Sequence, residues 1–130
     1  MAYKYVIPGT PITKKNSMRM VKNHKTGKIY PIPSKQFVGY EAAAAYFLQP
    51  IPADAIDRPV RVTCKYYMPT HRPVDLTNLM EATHDILCKF GILADDNNKV
   101  VVSVDGSRVY YDKDDPRVEI EIAEEDNAES

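Results

Sequence analysis

The chain has 130 residues, 44% of them apolar, with nine tyrosines, enough for one domain with a single modest core and too apolar for a disordered polymer. No apolar run approaches the ~18–20 residues that span a bilayer, and the opening Met-Ala-Tyr-Lys-Tyr-Val-Ile-Pro is too short in its apolar part for an export signal, so a cytoplasmic protein with two reduced cysteines is expected. The net charge of −1 hides a split: residues 1–40 carry eight Lys or Arg and no acid, while the other ninety carry nine against all eighteen acids.

Tyr3–Ile7 reads as a first strand that ends at Pro8-Gly9. Residues 10–33 are rich in Lys, Asn, Gly and Pro, which predicts a long basic loop with a small hairpin around Thr26-Gly27. Its Lys14, Lys15, Asn16, Arg19, Lys22, Lys25 and Lys28 are the expected phosphate contacts, with His24 and Tyr30 as weaker candidates for base stacking. Ser34 can cap a helix that runs through Glu41 to Leu48, with Phe37, Tyr40, Ala44 and Phe47 or Leu48 buried. Pro50 and Pro52 stop it.

Pro59–Tyr67 alternates Val60, Val62, Cys64 and Tyr66 against Arg61, Thr63, Lys65 and Tyr67, which is the pattern of a half-buried strand. Asp75 then makes a good N-cap for a second helix from Leu76 to Lys89. Its apolar stripe is Leu76, Leu79, Met80, Thr83, Leu87 and Phe90; Asn78, Glu81, Ala82 and Asp85 share the opposite face. Gly91 ends it. Val100–Val104 and Arg108–Tyr111 read as strands of a hairpin around Asp105-Gly106, and Arg117–Ile122 as a last strand. Residues 1–123 form one α/β domain, a mixed sheet packed by two main helices, and residues 124–130 an acidic flexible tail.

Two acidic groups flank the second helix: Asp75 with Glu81, and Asp95-Asp96-Asn97 beyond its end. Magnesium takes oxygen ligands, one or two carboxylates plus water and substrate phosphate. Converging acids beside a basic stretch therefore point to metal-dependent cutting of nucleic acid. Asp75, Glu81 and Asp96 are the candidate ligands and catalytic acids, and Asn78 supplies a carbonyl or orients a carboxylate. The helix rises about 21 Å. The segment Phe90–Asp96 spans at most about 23 Å, so Asp96 reaches Glu81 more easily than Asp75, unless a second subunit completes the site. Neither cysteine has a second Cys, or His71 or His84, at zinc-finger spacing. Asp112 to Arg117 lacks the Gly of a calcium loop. No Gly-rich phosphate cradle for a nucleotide cofactor is present.

These residues resemble the RusA-like endonucleases, small dimeric Holliday-junction resolvases. The match runs through Tyr66-Tyr67-Met68-Pro69, Asp75-Leu76-Thr77-Asn78-Leu79, Asp85-Ile86-Leu87, Lys89, Gly91, Leu93, Asp95-Asp96 and Val100-Val101, without a gap, and more loosely through Ile7-Pro8-Gly9 and Lys14-Lys15-Asn16. The resemblance implies a homodimer that nicks four-way DNA with magnesium, for which manganese substitutes. It assigns Asp75 and Asp96 to the metal, and Arg72 stands in the basic stretch before them. The family's best-known form has a second Asp where Thr77 stands and a Lys where Glu81 stands. Glu81 is therefore expected to replace the missing acid, and Lys89, Lys14 or Lys15 the missing cation. The alternative is a module of the same fold that binds branched DNA without cutting it.

Overall fold

The computed structural model describes residues 2–14 and 18–125; the calls on Lys15, Asn16 and the end of the tail, 126–130, lie outside them, as do the side chains of Met18, Arg19 and Pro33. Strand β1 is Ala2–Pro8, β2 Met18–Lys22, β3 Ile29–Pro33, β4 Val60–Met68, β5 Val101–Ser103, β6 Arg108–Tyr111 and β7 Arg117–Glu124; helix α1 is Lys35–Ala44 and α2 Leu76–Lys89. The main sheet is mixed and five-stranded. Its order is β1-β7-β4, with β5 and β6 sharing the far edge of β4.

Register aligns the apolar rows. Tyr5 pairs with Ile120 and Ile120 with Cys64; Ile122 stands opposite Val62, and Ile7 opposite Val118. All of these are buried, so the side-chain period of two places one continuous apolar face under the helices. Arg61, Thr63, Lys65 and Tyr67 fall on the other face. There Arg117 lies over Tyr67, 3.8 Å from its ring centre, and Tyr67 stacks on Tyr110 at 5.0 Å.

Helix α2 begins at the expected cap and ends at the expected glycine. The oxygen Oδ1 of Asp75 accepts from the backbone N–H of Thr77 and Asn78. Gly91 takes φ +80°, the left-handed conformation that closes a helix without a Cβ penalty. The buried stripe differs from expectation. It is Leu79, Ala82, Thr83, Ile86 and Leu87; Ala82, expected on the polar face, is buried, and Ile86 joins the core. Ala82 sits three residues after Leu79 and four before Ile86, so it falls on the seam between them. Thr83 donates to the Leu79 carbonyl (3.0 Å) and so accepts at 2.7 Å from the hydroxyl of Tyr66. This places the one buried hydroxyl pair of the α2–β4 contact on a satisfied footing.

The hairpin expected around Asp105-Gly106 does not form. β5 and β6 both pair parallel with β4, at Val60↔Val101 and at Lys65↔Arg108 through Met68↔Tyr111. They are two pieces of one edge, interrupted by a turn in which Gly106 has φ +86°. The reason is that β4 claims the turn's polar groups: Thr63 Oγ1 donates to the Asp105 carbonyl and the Cys64 N–H donates to Ser107 Oγ. Helix α2 then serves as the crossover between parallel neighbours.

Ser34 caps α1 as expected, accepting from the Phe37 N–H. The α-helix stops at Ala44 and one 3-10 turn, Ala45–Phe47, follows. Leu48 is buried there and Phe47 is exposed. The basic segment does contain a hairpin: β2 and β3 pair antiparallel from Met18↔Pro33 to Lys22↔Ile29. Asn23 closes its turn by accepting from the N–H of Lys25 and Thr26. β7 continues two residues beyond the expected Ile122, and Arg58 pairs with Glu124 at 2.8 Å.

Candidate metal and nucleic-acid site

Three segments meet on the outer side of α2. The first is the helix itself, which presents Glu81, exposed, and Asp85 one turn later, half-buried. The second is the loop after it. Ala94 donates to the Ile56 carbonyl and Ile56 to the Ile92 carbonyl, both at 2.9 Å, which pins the loop base while Asp95 and Asp96 stay exposed. The third is the start of the basic segment. Thr13 is buried, Ile12 packs on the core, and Lys14 pairs with Asp85 at 3.8 Å.

The electrostatics record the convergence. Partial burial raises the Asp85 carboxyl above its ordinary range; Lys14 opposes the shift, and the carboxylates of Asp96 and Glu81 add to it. Burial holds His84 below the usual imidazole range, against the pull of Asp96 and Asp85, so His84 is neutral at physiological pH. Its Nε2 is buried and meets no hydrogen-bond partner among the described residues. Burial, then Asp96, Asp95 and Asp85, pushes the Cys88 thiol up to about 11.

The expected site residues divide accordingly. Asp96 and Glu81 come to the same region, both acting on Asp85. Asp75 stands at the N-terminus of α2, six residues before Glu81 and so about 9 Å from it along the axis. Its Oδ1 also accepts from the Thr77 hydroxyl at 2.6 Å, so the residue that stands in the second Asp position braces the first. Asn78 is in the first turn, half-buried. Lys89 is directed elsewhere, pairing with Glu41 of α1. Lys22, Lys25 and Lys28 are exposed on the β2–β3 hairpin, and Arg72 is exposed in the connection from β4 to α2. Asp85 joins the cluster as well: its one-turn spacing from Glu81 places it on the same helix side, but no spacing shows its pairing with Lys14.

Among the described residues no three His, Cys, Asp or Glu side chains form a group that could hold a metal ion. A magnesium ion does not need such a cage, since water and substrate phosphate complete its shell. Glu81 and Asp96 are hard oxygen donors whose carboxylates raise the proton affinity of Asp85, and a bound dication would offset that repulsion. The donor set fits. The Asp112–Asp115 loop serves a different purpose: Asp112 accepts from the N–H of Asp114 and Asp115 and from Arg117, so this acidic run is a turn clamped by a guanidinium.

No helix among the described residues is long and apolar enough to cross a membrane. A search of curated proteins returned no match. The family model described as endodeoxyribonuclease RusA matches residues 8–123, which runs from Pro8 at the end of the first strand through the basic segment, α2 and the Asp95-Asp96 loop to nearly all of β7. The chain therefore belongs to the RusA family of Holliday-junction-resolving endodeoxyribonucleases.

Proposed function

We propose that the chain, as a homodimer, nicks two opposed strands of a four-way DNA junction with magnesium held by Asp75, Glu81 and Asp96. The observation that carries this reading is the meeting of Glu81, Asp85, Asp96 and Lys14 beside α2. When bound, the ion lowers the pKa of an attacking water and offsets charge on phosphorus and on the leaving oxygen. Glu81 supplies the carboxylate that Thr77 does not. Lys14 supplies the cation absent from position 81: its ammonium stands at the acid cluster, whereas Lys89 is taken by Glu41. Asp85 is a positioning residue that holds Lys14 there. Asp95 and Asn97 shape the loop that presents Asp96, through the Asp96 N–H to Asp95 and the Lys99 N–H to Asn97. A two-fold dimer offers two such sites to two strands, which matches the symmetry of the substrate.

Exposed lysines on the β2–β3 hairpin and Arg72 bind backbone phosphates, an attraction that reads shape and charge rather than sequence and weakens with salt. A magnesium-titrated nicking assay on a synthetic four-way junction tests the reading. Paired nicks that require the ion, lost in Glu81→Gln while junction binding persists, are the expected result. Junction binding without nicks at any magnesium or manganese concentration would instead establish a non-cleaving module, and full activity of Glu81→Gln would remove Glu81 from the site.

A further inference from the structure

A groove of about 300 Å³ opens where β4 and β6 end. Its floor is apolar: Met68, Val74 and Val109, each packed against the core. Its wall is a planar pair, His71 stacked on Tyr111 with ring centres 3.9 Å apart. Arg72, exposed, stands at its rim. Tyr111 itself is 46% exposed, a large aromatic surface left to solvent at the edge of the sheet.

The position is as informative as the lining. Val74 forms part of the groove and the next residue is Asp75, the cap of α2. Glu81 lies about 9 Å further along the helix, a distance on the order of one or two nucleotides of strand. An apolar floor, a π-surface and an adjacent guanidinium are the complements of a nucleobase and its phosphate. Bases inside a duplex are already stacked on their neighbours and offer no free face. At the crossover of a four-way junction, base pairs sit at helix ends and a base can leave the stack at lower cost.

We propose that this groove receives an unstacked nucleobase next to the strand crossover, held on the Tyr111–His71 pair with Arg72 on its phosphate. The inference rests on the branched-DNA reading and adds a base subsite to it. The groove thereby distinguishes a junction from a duplex, which the basic hairpin, by charge alone, does not.

The test uses the full-length protein without divalent metal, so that binding is read apart from cutting. Four-way junctions carry 5-iododeoxyuridine at single positions around the crossover, and photo-cross-links are mapped by mass spectrometry. The expected product joins a crossover base to the peptide holding Tyr111 or His71. Tyr111→Leu and His71→Ala should each weaken junction binding about tenfold, the scale of one base–aromatic stack, and leave duplex binding and thermal melting unchanged. Tyr111→Phe should bind junctions as the parent does. Cross-links confined to the β2–β3 hairpin, or equal losses for junction and duplex, would overturn the proposal. Failure of the unmodified protein to bind junctions would overturn the proposed function and this subsite together; unaltered junction binding by both Tyr111→Leu and His71→Ala would overturn the subsite alone.

Discussion

Helix α2 has two sides that obey different rules. One side, Leu79, Ala82, Thr83, Ile86 and Leu87, is closed against the sheet, and its only hydroxyl is satisfied. The other side gathers Glu81, Asp85 and the incoming Asp96, three like charges that raise the proton affinity of the middle one. Packing specifies the first side and contributes to stability. The second side costs stability, since carboxylates brought together repel and lose solvation. The proposed magnesium ion and the phosphates of a DNA strand would offset that cost. Substitutions on the closed side should therefore move melting without moving chemistry, and substitutions on the open side the reverse.

The largest effect expected on the closed side is Leu87→Ala. Leu87 is fully buried, so the loss of transfer energy plus the cavity amounts to about 2–5 kcal/mol. Urea unfolding would show it, with the nicking rate per folded molecule unchanged. The counterpart on the open side is Glu81→Gln. Its nicking rate should fall by about 100-fold or more, the scale of losing one group that stabilises transition-state charge, with no loss of unfolding free energy. A Glu81→Gln protein that melts lower and cuts normally would invert the comparison.

A smaller effect separates polar from apolar contributions on the closed side. In Thr83→Val the Tyr66 hydroxyl loses its acceptor while staying buried. An unmade buried hydrogen bond costs about 1–3 kcal/mol. Tyr66→Phe combined with Thr83→Val should recover part of that loss, because no orphan hydroxyl then remains. Lack of recovery in a double-mutant cycle would mean that shape, not the hydrogen bond, sets the cost.

The two sides also differ in how far they can be read from residues alone. Asp75 as cap, Gly91 as stop and the alternation of β4 announce themselves because each rests on a local rule. The placement of Ala82 does not: a small residue between Leu79 and Ile86 suits either side of a helix, and only the closeness of the sheet decides. The Asp105-Gly106 turn misled for a related reason. Its chemistry is that of a hairpin, yet β4 binds both flanking segments in parallel, and a parallel pairing has no signature in the turn. Among the acids, the resemblance to a family pattern singles out Asp75 and Asp96 as candidate ligands. It gives Asp85 no part, and the pairing of Asp85 with Lys14, seventy-one residues away in the chain, leaves no trace in spacing. The groove at His71 and Tyr111 was hidden likewise, its walls coming from two segments that meet only through the β4–β6 register.

The smallest change in stability, and the most discriminating, is expected from Asp85→Asn. The folded protein raises this carboxyl above 3.8, its ordinary value. A raised carboxyl means that the ionised form is penalised on folding. The penalty is absent below the unfolded pKa and is fully present once pH exceeds the folded one. In metal-free protein Asp85→Asn should therefore melt at or slightly above the parent at neutral pH, and the gap should close as pH falls toward 3.8. Its chemistry should go the other way. Without the carboxylate, Lys14 is no longer held at the cluster, so turnover should fall about tenfold, the scale of a misplaced supporting group, while junction affinity changes little. Lys14→Met should show the same loss, and the double variant no more than either, because both remove one function. Additive losses would show that Asp85 acts on the ion directly and not through Lys14.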